Sequence, residues 1–351
     1  MKNLRKISIR DVDKHGLKPL KNIQLKKIKS FDQLLEQMGD TALGARDLGN
    51  ALNVLSSMTG DADCKIVLTL SGVVTIAKLG GIITDMIERD LIHCIISTGA
   101  VICHGFNDER GNQHFKPLKD YPDDWLFEQG YNRIYDTIET EFAMDELEEV
   151  TFSILEEQPA GSVLCSADLT DLMGSYLLGK GFENGFLQMA HRKKVPILIP
   201  AFTDSEIGLA FALFNRYCKA ENRPEIYFNP FLDFERYLDF IKNSKILGII
   251  SLGGGVPRNW AQQICPYIDI LNRREKRMTL EPRRFKYGIR ICSDPPRWGG
   301  LSGSTYAEGV SWGKYISSEQ GGMFAEVYSD FTIVFPILIK ALFDSMDKSL
   351  E

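Results

Sequence analysis

Six short apolar runs alternate with longer amphipathic stretches along this chain, and that alternation restricts the fold more than any other feature. The runs are Lys65–Leu70 (KIVLTL), Leu91–Ser97 (LIHCIIS), Val195–Ala201 (VPILIPA), Ile246–Leu252 (ILGIISL), Tyr287–Cys292 (YGIRIC) and Ala325–Tyr328 (AEVY). Brief apolar runs bounded by turn residues mark strands buried on both faces. Helical periodicity fills the intervals: Ser30–Met58 with Ser30 as cap, Val73–Arg89, Ser205–Lys219 with Ser205 as cap, Phe231–Asn243, Pro257–Asn272 and a closing Asp330–Met346. Strand, helix and strand in close succession predict βαβ units and a parallel sheet. The acidic middle, Tyr121–Gln158, reads as a helical pair with Ile134, Ile138 and Phe142 on one face, extended by helices Asp168–Gly179 and Phe186–Arg192. The expected fold class is α/β, a single doubly wound, mostly parallel sheet with helices on both faces and extra helices in the middle of the chain.

No Pro/Gly-rich linker or internal repeat divides the 351 residues. The expected organisation is therefore a basic N-terminal arm, residues 1–29, and one domain over residues 30–351. The arm carries ten Lys or Arg against two Asp, yet the net charge of the chain is -6. That balance supplies no overall cationic field for nucleic acid. No apolar run approaches the roughly 20 residues that span a bilayer, so no membrane partner is expected. The basic N-terminus lacks the apolar core of a secretory signal. Seven cysteines, odd in number and without a CxxC pair, fit a reducing cytoplasm and give no disulfide framework or metal-ligand spacing.

Ligands of doubly wound sheets bind beyond the carboxyl ends of the strands. Six such ends here carry small, hydroxyl or acidic residues: Ser71-Gly72, Ser97-Thr98-Gly99-Ala100, Thr203-Asp204, Gly253-Gly254-Gly255, Ser293-Asp294 and Ser329-Asp330. Backbone N–H groups at such ends can hold phosphate and an aspartate can take a ribose hydroxyl, although turns favour the same residues. The GxGxxG fingerprint is absent, so a dinucleotide would be held differently from the standard first turn. The stretch Gly299–Lys314, GGLSGSTYAEGVSWGK, packs five glycines around Glu308, Trp312 and Lys314. Residue types alone leave two readings of it open: a solvated loop with a surface lysine, or a partly desolvated pocket that frees a nucleophilic amine. Cys103-His104 reads as structural, because adjacent side chains seldom point together. His93 reads as a core histidine, and His191 as a cation at a helix end.

The segment SGSTYAEGVSWGK, followed by VYSDFTIVFPIL from Val327 to Leu338, resembles the deoxyhypusine synthase family. FDQLLEQMGDTALGARDLG from Phe31, STGA at Ser97, PAFTD at Pro200 and ISLGGGV at Ile250 extend the resemblance over about Phe31 to Met346. It implies a Rossmann-like fold, NAD as cofactor, a polyamine substrate and a homotetramer with sites at dimer interfaces. It also implies an imine on Lys314, the match to the catalytic lysine. Substrate-binding matches are Glu308, Trp312, Trp260, Gly299, Gly300 and Leu301. Cofactor-binding matches are Gly72, Thr98, Gly99, Ala100, Asp204, Gly255, Ser293, Asp294, Ser302 and Asp330; no metal is implied. Leu209 and Leu301 stand where the family carries aspartates, Trp260 where it carries a histidine, and His104 where it carries a glutamate. Those departures resemble the bacterial deoxyhypusine synthase-like branch. The implied activity is aminobutyl transfer from a spermidine-like donor to a small amine such as putrescine, as in homospermidine synthase. A lysine of translation factor 5A is the alternative acceptor, and a non-catalytic NAD- or polyamine-binding relative is a further alternative.

Overall fold

The computed structural model describes residues 16–275 and 279–348. Ten strands occur among them: β1 (Cys64–Leu70), β2 (Cys94–Ser97), β3 (Tyr131–Ile134), β4 (Thr137–Thr140), β5 (Val163–Leu164), β6 (Ile197–Leu198), β7 (Tyr227–Phe228), β8 (Ile246–Leu252), β9 (Phe285–Ile291) and β10 (Met323–Val327). Six of them form one sheet in the order β10-β9-β8-β1-β2-β6. Every neighbouring pair in it is parallel. The doubly wound α/β sheet expected from the alternation is therefore present.

Alternation within each strand divides the interior into two cores. Ile66, Leu68 and Leu70 of β1, Ile250 and Leu252 of β8, and Tyr287, Ile289 and Ile291 of β9 face one. Val67, Leu247, Ile249 and Phe285 face the other. Helices cover both, which is why these strands read as almost unbroken apolar runs. On the second face lie helices Pro230–Lys242 and Gly255–Arg274; their buried residues Tyr237, Leu238, Ile241, Ala261, Ile264, Cys265 and Ile268 belong to that core.

Five expectations need correction. The helix predicted over Ser30–Met58 is two helices, Phe31–Gly39 and Leu43–Gly60, broken where Leu43 takes φ 60°. Ser30 holds the cap position, but its hydroxyl donates to the Asp32 carboxylate and does not cap the helix. The helix predicted over Val73–Arg89 begins only at Gly80. A turn precedes it, closed by Leu79 N–H to the Val74 carbonyl at 3.1 Å, with Lys78 left-handed and Thr75 donating to the Val101 carbonyl. In the acidic middle the helical pair is a short helix Asp123–Glu128, the antiparallel hairpin β3–β4 and a helix Glu141–Glu156. Ile134 and Ile138 belong to the hairpin, whose turn Tyr135 makes at φ 54°. Val195–Ala201 narrows to the two-residue edge strand β6. Ser205 does cap its helix, accepting from Gly208 N–H at 3.1 Å.

Candidate functional site

A parallel sheet brings all its carboxyl ends to one rim. Gly72 follows β1 there; Thr98, Gly99 and Ala100 follow β2; Asp204 follows β6; Gly255 follows β8; Ser293 and Asp294 follow β9; Asp330 follows β10. Thr98 and Gly254 cap helices Gly99–Glu109 and Gly255–Arg274 without a side-chain hydrogen bond, so the helix starts keep donors for an anion. A Cβ on Gly99 would lie 2.1 Å from the Ser205 Cβ, which seats the Asp204 turn against the first of those helices. Ser71 ties β1 to β8: its hydroxyl donates to the Leu252 carbonyl at 3.1 Å and accepts from Gly254 N–H at 2.8 Å. The Ser302 hydroxyl donates to Asp294, and a Cβ on Gly254 would fall 2.4 Å from Ser302 Cα. Glycine is what lets these two segments meet. The Asp330 carboxylate accepts from Thr332 N–H at 2.8 Å. Anion-holding helix starts, close backbone approaches and acidic groups on one rim fit a dinucleotide.

Lys314 enters from the other direction. Its carbonyl accepts from Phe285 N–H at 3.0 Å, at the beginning of β9. The short helix Tyr306–Ser311, capped by the Thr305 hydroxyl on Glu308 N–H, ends in Gly313 at φ 68°, a left-handed turn that redirects the chain into the lysine. The side chain then lies against helix Gly255–Arg274, where Nζ donates to Asn259 Oδ1 at 3.0 Å. Lys314 is 9% exposed. Nζ lies 6.0 Å from the centroid of the Trp312 ring. Burial lowers its pKa from the ordinary lysine value, the nearby Arg258 guanidinium lowers it further, and Glu308 opposes both. A buried amine pushed toward neutrality can act as a nucleophile.

Two buried arginines hold the loop that carries these groups. Arg258 donates to the Ser304 carbonyl at 2.9 Å and hydroxyl at 3.1 Å. Arg290, with no exposed surface, donates to the Ser302 carbonyl at 2.7 Å and pairs with Glu326 at 2.9 Å. Neither arginine nor Asn259 was singled out in the sequence. Asn259 directly precedes Trp260, and the structure distinguishes the two: Trp260 packs on Phe234 and Tyr237 while Asn259 reaches the lysine. Glu308, Gly299 and Gly300 are exposed. Trp312 is 64% exposed and Leu301 49%.

A cavity of about 460 Å³ opens elsewhere, lined by His104, Glu139, Glu141, Asp145, Glu206 and Leu209 among others. His104 lies 3.0 Å from Glu139, not beside Cys103 chemistry, since Cys103 is buried in the first core. Glu139 is held below the usual carboxylate range: burial alone would raise it, and its contacts with His104 and His114 outweigh burial. His93 accepts from Ile66 N–H at 3.1 Å, and burial lowers its pKa to about 4, as befits a core histidine. His191 sits at the end of helix Phe186–Lys193, 2.7 Å from Asp171.

The profile of one family, deoxyhypusine synthase, matches residues 33–342. A Methanosarcina mazei protein named "Probable deoxyhypusine synthase 2" is 30% identical over 318 residues, covering 90% of this chain and 87% of that protein. A Chlorobaculum parvum "Deoxyhypusine synthase-like protein" is 32% identical over 336 residues, covering 94% of this chain and 91% of its own. Among solved structures, an Entamoeba histolytica chain described as a "putative deoxyhypusine synthase" superposes with a TM-score of 0.58 at 16% identity, over 93% of this chain and 97% of that one. That last likeness is one of fold.

Proposed function

The chain belongs to the deoxyhypusine synthase family, and on that premise we propose that it transfers an aminobutyl group from a spermidine-like polyamine through an imine on Lys314. Members of the family are NAD-dependent aminobutyl transferases, and this chain is a transferase of that class. The observation that carries the role of Lys314 is a lysine amine buried, depressed in pKa and held by a neutral partner, Asn259. Asparagine accepts a hydrogen bond without adding the negative charge that would keep the amine protonated.

NAD, when bound, supplies a reversible hydride acceptor. Its holders are proposed to be Gly72, Thr98, Gly99, Ala100, Asp204, Gly255, Ser293, Asp294, Ser302 and Asp330. Neutral Lys314 adds to the oxidised carbon of the polyamine, 1,3-diaminopropane leaves with a proton, and a four-carbon amine stays joined to Nζ as an imine. An acceptor amine displaces Lys314 by the same exchange. Glu308 supplies a carboxylate for a substrate ammonium and Trp312 a π face for it, with Gly299, Gly300 and Leu301 shaping that side and Trp260 backing Asn259. The proposed acceptor is a small amine such as putrescine, giving a homospermidine-type product, because Leu209 and Leu301 offer no carboxylate at two positions of the family pattern. A lysine of translation factor 5A is the competing acceptor.

Large exposed apolar groups, Trp298, Leu301 and Trp312, support a site completed by a second copy in a homotetramer. Residues 30–351 would be one NAD-binding domain. The basic arm 1–29, whose first fifteen residues lie outside the described ones, would cover a neighbour's site. Seven buried, unpaired cysteines support a cytoplasmic setting, and among the described residues no helix is long and apolar enough to cross a membrane.

The test incubates pure protein with NAD and spermidine, with and without putrescine, and follows amines by mass spectrometry. Release of 1,3-diaminopropane, with homospermidine when putrescine is present, is the expected result. No 1,3-diaminopropane under any condition, with NAD binding intact by calorimetry, would instead favour a non-catalytic relative.

A further inference from the structure

Away from Lys314, three side chains converge in a way the transfer reaction does not use. Phe115 pairs antiparallel with Ile138, exchanging hydrogen bonds of 2.7 and 2.9 Å. That register sets the next pair outward, His114 and Glu139, side by side. Helix Gly99–Glu109 brings His104 to the same carboxylate. Glu139 Oε2 lies 3.0 Å from His104 Nδ1 and 3.5 Å from His114 Nε2, and one donor atom from each residue falls within a 4.8 Å cluster.

We propose that His104, His114 and Glu139 form a binding site for a divalent transition-metal cation of the zinc class, with an open coordination position toward the acidic cavity. Bonds of about 2.0–2.1 Å from a tetrahedral centre set neighbouring donors about 3.3 Å apart, and the two contacts to Glu139 straddle that spacing. The His104 contact is a hydrogen bond, whereas the His114 contact, at 3.5 Å, does not meet hydrogen-bond geometry. His114 is only 3% exposed in its side chain, and its Nε2 has no hydrogen-bond partner. Buried nitrogens are rarely left in that state, and a shared cation would engage it. Two imidazoles and one carboxylate suit zinc, iron or cobalt better than calcium or magnesium, which take oxygen ligands. Glu141, Asp145 and Glu206 line the adjoining cavity and add negative potential.

The other face of His114 is also built. Its Nδ1 lies 3.1 Å from Lys78 Nζ and 3.9 Å from Asp108 Oδ1, and Lys78 and Asp108 pair with each other. With a cation on Nε2, the ring proton moves to Nδ1 and a small ring rotation offers it to Asp108. Asp108 is then a positioning residue of the kind that orients metal-bound imidazoles. The site stands whether or not Lys314 forms an imine.

The full-length chain, stripped with a chelator and equilibrated with Zn²⁺, should hold one zinc per chain, and Co²⁺ in its place should show intense visible bands of a tetrahedral centre. His114→Ala and Glu139→Gln should each weaken zinc affinity at least about 100-fold, and Asp108→Asn about 10- to 100-fold, the range for outer partners. Lys78→Ala should retain zinc. Should the ligand variants melt at the temperature of wild type and still bind zinc equally, the proposal is overturned. If they do not fold, the wild type decides: Zn²⁺ must shift the His104 and His114 ring resonances together, and shifts elsewhere or none refute the site. Spermidine binding to the stripped protein that needs Glu139 but not His114, with no zinc retained, would make the cavity an amine pocket and overturn the metal reading.

Discussion

Replacing Asn259 by aspartate puts a carboxylate oxygen where the amide oxygen now accepts from Lys314 Nζ at 3.0 Å. The substitution changes shape little and charge by one unit. At about 4 Å two unit charges attract by about 4 kcal/mol for an effective dielectric of 20. At about 1.36 kcal/mol per pKa unit that would raise the lysine by about three units. The exposed Trp312 admits solvent beside the amine, so a rise of about one to two units is expected, within the range for opposite charges in contact. The sign is fixed. In the native protein the ammonium is disfavoured, so the reactive neutral amine forms at lower pH than for an ordinary lysine. The aspartate favours the ammonium and moves the acid limb of the kcat profile upward. On the acid limb, where the amine is still largely protonated in both proteins, the rate should fall about 10- to 100-fold, tenfold for each unit, and recover at high pH. The assay is release of 1,3-diaminopropane from spermidine between pH 6 and 11. An acid limb in Asn259→Asp that coincides with that of the native protein would refute the claim that Lys314 is the titrating nucleophile.

Other substitutions probe the supporting structure. Arg290→Met leaves the partly buried Glu326 carboxylate without its cationic partner, although Tyr306 N–H and the Tyr328 hydroxyl still donate to it, and frees the Ser302 carbonyl. The loss should cost about 3 kcal/mol in denaturant unfolding, the low end of the range for breaking a buried pair. Gly254→Ala forces a Cβ to within 2.4 Å of Ser302 and should weaken NAD binding by calorimetry more than tenfold while leaving the far-ultraviolet spectrum unchanged. Glu109 is buried and pushed up to about 8, with backbone N–H groups of Leu187 and Gln188 as its partners. Its folded value lies above the unfolded one, near 4.5, so its stability contribution is full below that value and is lost as pH rises through about 8. Glu109→Gln should flatten the denaturant midpoint between pH 5 and 9; an unchanged slope would count against the assignment.

Strands with both faces buried were legible in the sequence because they need no alternation, only a short apolar run and a turn. Their ends named the rim in advance: Gly72, Thr98, Asp204, Gly255, Asp294 and Asp330 all follow sheet strands. The hairpin was not legible. Ile134, Ile138 and Phe142 sit at helical spacing by coincidence, and the competing signal, β-branched Thr137, Ile138 and Thr140 after the Tyr135–Asp136 turn, is brief. Asn259 escaped notice because its role depends on a rotation about the helix axis that separates it from Trp260. His104, His114 and Glu139 come from three elements, so no spacing could have joined them before the Phe115–Ile138 pairing was known.

The central claim is the covalent role of Lys314, and borohydride trapping tests it most directly. The native protein, incubated with NAD and spermidine and then reduced, should carry the mass of a four-carbon amine on the peptide containing Lys314, and Lys314→Ala should neither carry it nor turn over. A tag on a different lysine, or an unchanged rate in Lys314→Ala, would contradict the account.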